Sequence, residues 1–133
     1  MKTQKLNYSI SIIVIILLFL LGYNKNQSIN EIEKYYNVDS LYALTQEPQS
    51  NIIVLDVRST AEFASGHIPT AINICSCEVE KCLKNVSKSK RYIIYCQTGY
   101  RSNKVCEIFK DNGYRYVLDW GGVHRWIYEF ELQ

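Results

Sequence analysis

The stretch "RYIIYCQTGYRSNKVCEIFKDNGY", residues 91–114, combines an apolar segment, a tight polar loop and a helical pattern. The apolar run "RYIIYC" is typical of a buried strand, and it ends on Cys96. "SNKVCEIFKDNG" has apolar residues at helical spacing, which predicts a helix that begins at Ser102 and ends at Gly113. The stretch therefore predicts a strand–loop–helix unit with a thiol at the carboxyl end of the strand, where sites of α/β folds lie.

The loop of residues 97–101 favours an anion-binding nucleophile at this position. Gly99 can adopt backbone angles that other residues avoid, so the N–H groups of the loop and of the helix start can point at one spot. A helix N-terminus and a neighbouring arginine lower a cysteine pKa by roughly one to five units. We expect Cys96 to be ionised and open to solvent without a histidine base. The alternative is an inert core cysteine, which Gly99, Arg101 and Ser102 make less attractive.

The remaining chain alternates strand and helix patterns. Strands are predicted at "NIIVLDVRS", "TAINI" and "YRYVLDW", and helices at "SINEIEKYYN", "VDSLYALTQEP", "STAEFASGHIP", "SCEVEKCLKNVSKSK" and "GGVHRWIYEFEL". Capping boxes are expected at Ser28 with Glu31 and at Ser59 with Glu62, and the second helix is expected to begin near Asp39 or Ser40. The pattern predicts an α/β fold with a central, mostly parallel sheet flanked by helices and preceded by an apolar N-terminal helix.

The first 23 residues have the pattern of a targeting segment. Lys2 and Lys5 precede an uninterrupted apolar run over residues 12–21, which is the length of a signal-peptide core and short for a spanning helix. A cleaved signal peptide and an uncleaved membrane anchor both remain open. Either one predicts that the globular part, residues 31–133, lies outside the cytoplasm, in the periplasm or cell envelope, after a polar linker at 24–30.

The charge balance argues against a nucleic-acid partner. The 133-residue chain has a net charge of +2, and without Lys2 and Lys5 its 13 basic residues face 13 acidic ones. Nucleic-acid binding needs a concentrated basic surface, and no basic run is present.

Three segments together resemble the rhodanese-like domain family: "IIVLDVRSTAEFASGHIPTAINI", the loop "CQTGYRS" and the closing "LDWGGVHRW". The resemblance runs from about Ser28 to Gln133. It implies a single α/β domain in which Cys96 takes a sulfane sulfur from a small-molecule or protein donor, carries it as a persulfide, and passes it to a thiol or another nucleophilic acceptor. It also implies that the backbone of residues 97–101 cradles the outer sulfur and that Arg101 steers an anionic donor such as thiosulfate.

Carried over residue by residue, the resemblance gives Gln97, Thr98, Gly99, Tyr100, Arg101 and Ser102 as the substrate-binding residues. Loop length favours sulfur transfer over phosphate hydrolysis. In the related phosphatase loops the arginine follows the cysteine by six positions, whereas Arg101 follows Cys96 by five, and Tyr95 stands where tyrosine phosphatases have a histidine.

The other residues of these segments are interpreted as scaffold. Asp56 and Arg58 are expected to pair with each other or with loop backbone and to hold the active-site loop from behind. Glu62 is interpreted as a capping residue, and His67 as a donor or acceptor to backbone rather than a base. His124 is not expected to act in catalysis, and Trp120, Trp126 and Cys106 are expected in the core.

The chain departs from the family pattern at two positions. Thr70 replaces the usual glycine after "GHIP", a change expected to be mild, and Cys75 stands where proline is common. Cys75 opens "CSCEVEKC", which leaves a disulfide within the trio of Cys75, Cys77 and Cys82, a redox partner for Cys96, or a metal site as alternatives. Three thiolates fall short of the four ligands of structural zinc, so neither a metal nor a cofactor is predicted.

Three functions remain open. The favoured one is sulfur transfer through a Cys96 persulfide. The second is a non-catalytic rhodanese-like module that recognises an anion, a thiol protein or a membrane partner. The third is a thiol redox protein of the cell envelope in which Cys96 pairs with one of the trio. A membrane contact is expected only through the N-terminal segment, if it is uncleaved.

Overall fold

The computed structural model describes residues 11–22 and 31–133, and the chain divides into two units, residues 1–31 and 32–133. In the first unit residues 11–22 are helical, and this helix is α1. None of the helices within the described residues is long and apolar enough to cross a membrane. The predicted targeting segment at 1–23 and the linker at 24–30 stay predictions. The proposed Ser28 cap lies outside the described residues.

The second unit is an α/β domain built around four parallel strands. Residues 32 and 33 are helical and are followed by a 3-10 turn at Lys34–Tyr36. The order of elements is then α2 (Val38–Gln46), β1 (Ile52–Asp56), α3 (Thr60–Ala64), β2 (Ile72–Asn73), α4 (Val79–Cys82), β3 (Arg91–Cys96), α5 (Tyr100–Asp111) and β4 (Val117–Gly122). The strands are ordered β2-β1-β3-β4, and every pair is parallel. The predicted fold class is therefore confirmed for this unit.

The sheet is covered on both faces, which explains the unbroken apolar strands. Side chains alternate between two buried clusters along β3: Ile93 and Tyr95 face one cluster, whereas Ile94 and Cys96 face the other. Residues of α2 and α3 join the first cluster, and residues of α4 and α5 join the second. Trp120, Trp126 and Cys106 are buried, as predicted.

Arg125 links the two ends of this domain. Its guanidinium lies 3.9 Å from the ring centroid of Tyr36 and 4.6 Å from that of Trp120. It also donates hydrogen bonds to the backbone carbonyls of the same two residues. The first turn of the domain is thereby fastened to the segment that follows the last strand.

The predicted closing helix at "GGVHRWIYEFEL" is wrong. Gly121, at φ +91°, and Gly122 belong to the end of β4, and only a 3-10 turn at Val123–Arg125 follows. After that turn the backbone of Glu131 pairs with His67 in an antiparallel bridge, with N···O distances of 3.0 and 2.9 Å. These carbonyls and amides are therefore used for bridging instead of for helix formation.

Several element boundaries also differ from the predictions. Helix α2 begins at Val38 because Asn37 Oδ1 accepts the N–H of Ser40 at 3.0 Å. Strand β4 begins at Val117 instead of 114, because Tyr114 turns inward and its hydroxyl binds the carbonyls of Leu83 and Val86. The segments "TAINI" and "SCEVEKCLKNVSKSK" form only the short β2, α4 and a 3-10 turn at Leu83–Asn85.

Candidate functional site

The candidate site lies where β3 ends and α5 begins. Gly99 is the N-cap of α5 and has φ +102°, a conformation that glycine adopts without strain. Helix α5 starts at Tyr100, two positions before the predicted Ser102, so Arg101 and Ser102 belong to its first turn. The loop after Cys96 is thus folded back over the thiol, as the sequence predicts.

The Cys96 thiol is enclosed by this loop. Its Sγ accepts the backbone N–H of Gly99 at 3.1 Å and lies 3.7 Å from Ser102 Oγ. The expectation that the thiol is open to solvent is wrong, since Cys96 is only 1% exposed. The alternation of β3 turns its side chain toward α5, where it packs in the same cluster as Val105 and Cys106. The backbone N–H groups of Thr98, Gly99 and Ser102 nevertheless point at Cys96 Sγ.

Hydrogen bonds outweigh burial in setting the pKa of Cys96. Burial by itself raises this pKa, since it removes water from the thiolate. The backbone N–H groups of Ser102, Gly99 and Thr98 and the hydroxyl of Ser102 lower it, and the net pKa of Cys96 lies below its ordinary value. Cys106 has no such donors, and burial raises its pKa to about 12. Of the two buried thiols, only Cys96 is disposed to ionise.

Ser102 ties the loop to the neighbouring strand. Its buried hydroxyl lies 3.0 Å from the carbonyl oxygen of Gly99 and 3.4 Å from that of Gly121. The same oxygen faces Cys96, so its proton can turn toward the sulfur when the thiol ionises. Ser102 therefore helps both to shape the loop and to stabilise the thiolate.

Arg101 is occupied by a carboxylate. Its guanidinium nitrogens donate to the two oxygens of Glu62 at 2.8 and 2.7 Å, and both side chains are about one-third exposed. The same carboxylate completes the capping box of α3 by accepting from Ser59 N–H and Oγ. The Arg101 bond lowers the Glu62 pKa well below its usual value. Arg101 thus stands beside the site, as expected, but it is not a free cation.

The capping box at Ser59 and Glu62 is confirmed. The interpretation of Glu62 as a capping residue did not include its ion pair with Arg101. The two partners of the ion pair lie 39 positions apart. No local spacing could indicate this contact, because it forms only when α3 and the loop meet at the same edge of the sheet.

Asp56 and Arg58 form the predicted pair behind the loop. Arg58 donates to Asp56 at 2.7–3.1 Å from its side chain and at 2.8 Å from its backbone, and both residues are buried. The remaining guanidinium N–H groups reach Gln97 Oε1 at 3.4 Å and the Gly66 carbonyl at 2.7 Å. Asp56 thus orients Arg58, and Arg58 braces the first residue of the loop.

The outer rim of the loop is polar and accessible. Gln97 and Thr98 are exposed, and Tyr100 is 67% exposed with Lys104 Nζ 4.4 Å from its ring centroid. These side chains are accessible, whereas the groups that donate to Cys96 Sγ are mainly backbone N–H groups. The loop can therefore bind a compact anion or a single sulfur atom through N–H groups.

The two glycines at the end of β4 support the loop from the neighbouring strand. A Cβ on Gly99 would lie 3.5 Å from the Cα of Gly121, and a Cβ on Gly122 would lie 3.0 Å from the carbonyl oxygen of Gln97. The ring of His124 also lies against Gly122. The sequence signal was the pair of adjacent glycines in "LDWGG", whose role the sequence reasoning did not recognise.

The two histidines are placed outside the sulfur cradle. His67 Nδ1 lies 3.0 Å from the Phe63 carbonyl oxygen, and its ring stacks on Phe63 at 3.7 Å, as expected of a structural histidine. His124 is exposed beside Gly122. Neither contacts Cys96 Sγ within the hydrogen bonds described for residues 31–133.

Two departures from the family pattern have structural consequences. Thr70 has φ +67°, so the replaced glycine stood at a left-handed position and the change is less mild than expected. Cys75 and Cys77 are joined by a disulfide, and Cys82, Cys96 and Cys106 are free thiols. No cluster of metal-ligating side chains occurs in the described parts of the chain.

Comparison with known proteins agrees with this geometry. A family model described as "Rhodanese-like domain" matches residues 37–129. A protein named "Sulfurtransferase" from Allochromatium vinosum is 31% identical over 77 residues, which cover 57% of this chain and 72% of that protein.

Solved structures show the same fold. The rhodanese-like domain protein from Staphylococcus aureus superposes with a TM-score of 0.62 at 32% identity, covering 72% of this chain and 94% of that one. The structure titled "rhodanese with anions from E. coli" has a TM-score of 0.56 at 27% identity, covering 62% of this chain and 99% of that one.

Proposed function

Since the chain belongs to the rhodanese-like domain family, we propose that it is a sulfurtransferase that carries a sulfane sulfur as a persulfide on Cys96. The observation that supports this most directly is the ring of N–H groups that faces the Cys96 sulfur and lowers its pKa. The sulfurtransferase named among its relatives supports the same reaction class.

The reaction proceeds in two displacements. The Cys96 thiolate attacks the outer sulfur of a donor such as thiosulfate, the donor S–S bond breaks, and sulfite leaves with the electron pair. A thiophilic acceptor then attacks the outer sulfur of the persulfide, and Cys96 leaves as a thiolate. In both steps the N–H groups of residues 98, 99 and 102 stabilise the negative charge that gathers on sulfur.

The loop geometry favours sulfur over phosphate as the transferred group. Arg101 is paired with Glu62 through Nη1 and Nη2, so the guanidinium edge formed by these two nitrogens is already occupied and is not available to a tetrahedral phosphate dianion. The loop between Cys96 and Arg101 is one residue shorter than the related phosphatase loops, which favours a single sulfur atom over a phosphate group.

The test is the sulfur content of Cys96. We expect the chain with its Cys75–Cys77 disulfide intact, when treated with thiosulfate, to gain the mass of one sulfur atom on the peptide that contains Cys96, and to form thiocyanate when cyanide is added. Cys96→Ser should lose both, whereas Cys82→Ser, which removes another free thiol, should keep both. A chain that gains no sulfur and forms no thiocyanate would contradict the proposal and favour a binding module.

The proposed location is outside the cytoplasm, with residues 1–23 acting as a signal peptide or a membrane anchor. Lys2, Lys5 and the apolar run support this, as does a disulfide at Cys75–Cys77, which is at home in an oxidising compartment. The intact mass of the mature chain, measured in membrane and soluble fractions, distinguishes cleavage from retention. Recovery of the full-length chain from the cytosol alone would contradict both.

A further inference from the structure

The Cys75–Cys77 disulfide lies at the same edge of the sheet as Cys96. Cys75 follows β2, whereas Cys96 ends β3, and β1 separates these two strands. One residue connects them: Val57 donates its N–H to the carbonyl of Tyr95 and accepts the N–H of Ser76, both at 3.0 Å. Two strand spacings, about 10 Å, therefore separate the backbone next to Cys96 from the backbone between the paired cysteines.

The pair has one accessible sulfur position and one that is more protected. Cys77 is exposed and Cys75 is half-buried, with a Cα–Cα distance of 5.2 Å. The backbone N–H of Cys77 points at the Sγ of Cys75 at 3.4 Å, which favours a thiolate there once the bridge is reduced. Residues 74–78 form a turn without helix or strand, and Cys77 is an exposed residue of this turn.

The buried position of Cys96 limits which acceptors can reach its sulfur. Its side chain is 1% exposed, and the Glu62–Arg101 pair flanks the loop. A nucleophile supplied by the same edge of the sheet avoids the entry of a bulky external thiol. The disulfide also leaves Cys96 itself unpaired, which removes the reason to regard Cys96 as a partner in a protein disulfide.

We propose that reduced Cys75 and Cys77 form an internal acceptor that receives the sulfur from Cys96 and releases it as sulfide. This inference rests on the proposed function, because it needs the Cys96 persulfide as its substrate. The disulfide seen in the structure is then the oxidised state of the pair after one release.

The step balances in two displacements. The Cys77 thiolate attacks the outer sulfur of the Cys96 persulfide, the persulfide S–S bond breaks, and Cys96 leaves as a thiolate. The Cys75 thiolate then attacks the Sγ of Cys77, and the outer sulfur leaves as hydrosulfide while the Cys75–Cys77 bond forms. The sulfane sulfur gains two electrons, and the dithiol loses two. An external protein dithiol of the thioredoxin class resets the pair by disulfide exchange.

The experiment follows sulfide and mass in the full chain. The protein is reduced with a dithiol, freed of reductant without air, and given one equivalent of thiosulfate per chain. We expect wild type to release one sulfide per chain, to lose the mass of two hydrogens as the bridge forms, and to retain no sulfur on Cys96. Cys75→Ser/Cys77→Ser is expected to hold the sulfur on Cys96 and to release no sulfide. Cys82→Ser, the matched control, should behave as wild type.

The outcomes separate this inference from the proposed function. If the double variant loads Cys96 and still releases sulfide at the wild-type rate, or if Cys82→Ser abolishes release, the pair is not the acceptor. If a mixture of Cys96→Ser with the double variant releases sulfide as fast as wild type, transfer within one chain is wrong. If the double variant, shown to be folded by circular dichroism, gains no sulfur at all, the proposed function fails as well.

Discussion

At the residue scale, the Ser102 hydroxyl is expected to help Cys96 ionise. Ser102→Ala removes the hydroxyl that lies 3.7 Å from Sγ but keeps the backbone N–H groups of the loop. A hydrogen bond stabilises the charged thiolate more than the neutral thiol, so we expect the Cys96 pKa to rise in this variant.

The pH dependence of iodoacetamide alkylation measures this shift in a Cys82→Ser background, where Cys96 is the free thiol with the lowered pKa. Asn103→Ala, on the next and exposed position of α5, is the matched control and should leave the midpoint unchanged. An unchanged midpoint in Ser102→Ala would show that the backbone alone sets the pKa.

Glu62 is expected to weaken the attraction of Arg101 for anionic donors. Glu62→Gln keeps the size of the side chain but removes the charge that holds Nη1 and Nη2 of Arg101. We therefore expect the KM for thiosulfate to fall several-fold, with a smaller effect on an uncharged persulfide donor. Steady-state kinetics with both donors test this, with Glu107→Gln on the exposed side of α5 as the control. An equal change for both donors would contradict it.

Glu62 also makes stability depend on pH. Because the pKa of its carboxyl is lowered by folding from 4.5, its stabilisation is present above that value and is lost as the pH falls below it. The side chain is about one-third exposed, so screening limits the effect to about 1 kcal/mol. Urea unfolding should show that Glu62→Gln is less stable than wild type at pH 7, with a difference that shrinks below pH 4.5.

Thr70 offers a stabilising substitution. A β-branched residue at φ +67° is strained by roughly 1–2 kcal/mol. Glycine relieves this strain, but it also gives the unfolded chain more conformational freedom, which offsets part of the gain in stability. Thr70→Gly is expected to raise the free energy of unfolding by about 0.5–1 kcal/mol. Thr70→Ala should gain less, since it keeps a Cβ at the same φ. A glycine variant less stable than wild type in urea would contradict this account.

At the scale of elements, the end of β4 supports the loop of residues 97–101 because the two backbones lie in close contact. In Gly122→Ala the new Cβ lies 3.0 Å from the Gln97 carbonyl oxygen and displaces the His124 ring. We expect the loop to shift by a few tenths of an ångström, alkylation of Cys96 to slow several-fold at neutral pH, and stability to fall by about 1 kcal/mol.

His124→Ala, which removes the ring but leaves Gly122 in place, is the control for this variant. It should keep the wild-type alkylation rate, because the loop amides remain where they are. If Gly122→Ala reacts like wild type, the contact between β4 and the loop does not shape the site.

The elements that were predictable are those with a strong local pattern. Strand β3 was predicted with its observed bounds, because a run covered on both faces of a sheet leaves an unbroken apolar signature. The Ser59 capping box was likewise confirmed, since all its atoms lie within four residues. The predicted closing helix failed because the partners of that segment, His67 and Tyr36, are distant in sequence.

The same distinction holds for the site. The inward amides around Cys96 follow from a local loop and were predictable, whereas the burial of Sγ depends on how α5 packs over β3. The Glu62–Arg101 pair and the contact between Gly122 and Gln97 both join segments that only the sheet brings together. Sequence reasoning could name their residues but not their partners.

At the scale of the whole molecule, the α/β domain is expected to fold without the first residues of the chain. Every residue of the two buried clusters lies at or after Ile32. A chain of residues 31–133 should therefore show the same urea midpoint as the full chain and should load sulfur on Cys96 equally well. A midpoint shifted by more than the error of the measurement would show that residues 1–30 contribute to stability.

The contacts of Arg125 with Tyr36 have a consequence for the order in which the domain is completed during synthesis. Tyr36 leaves the ribosome first, and the guanidinium that packs on it follows 89 positions later. The turn that contains Tyr36 therefore lacks its contact with Arg125 during most of translation. A nascent chain halted before that arginine is expected to be cut by protease at its leading end, and to become resistant once the arginine has emerged.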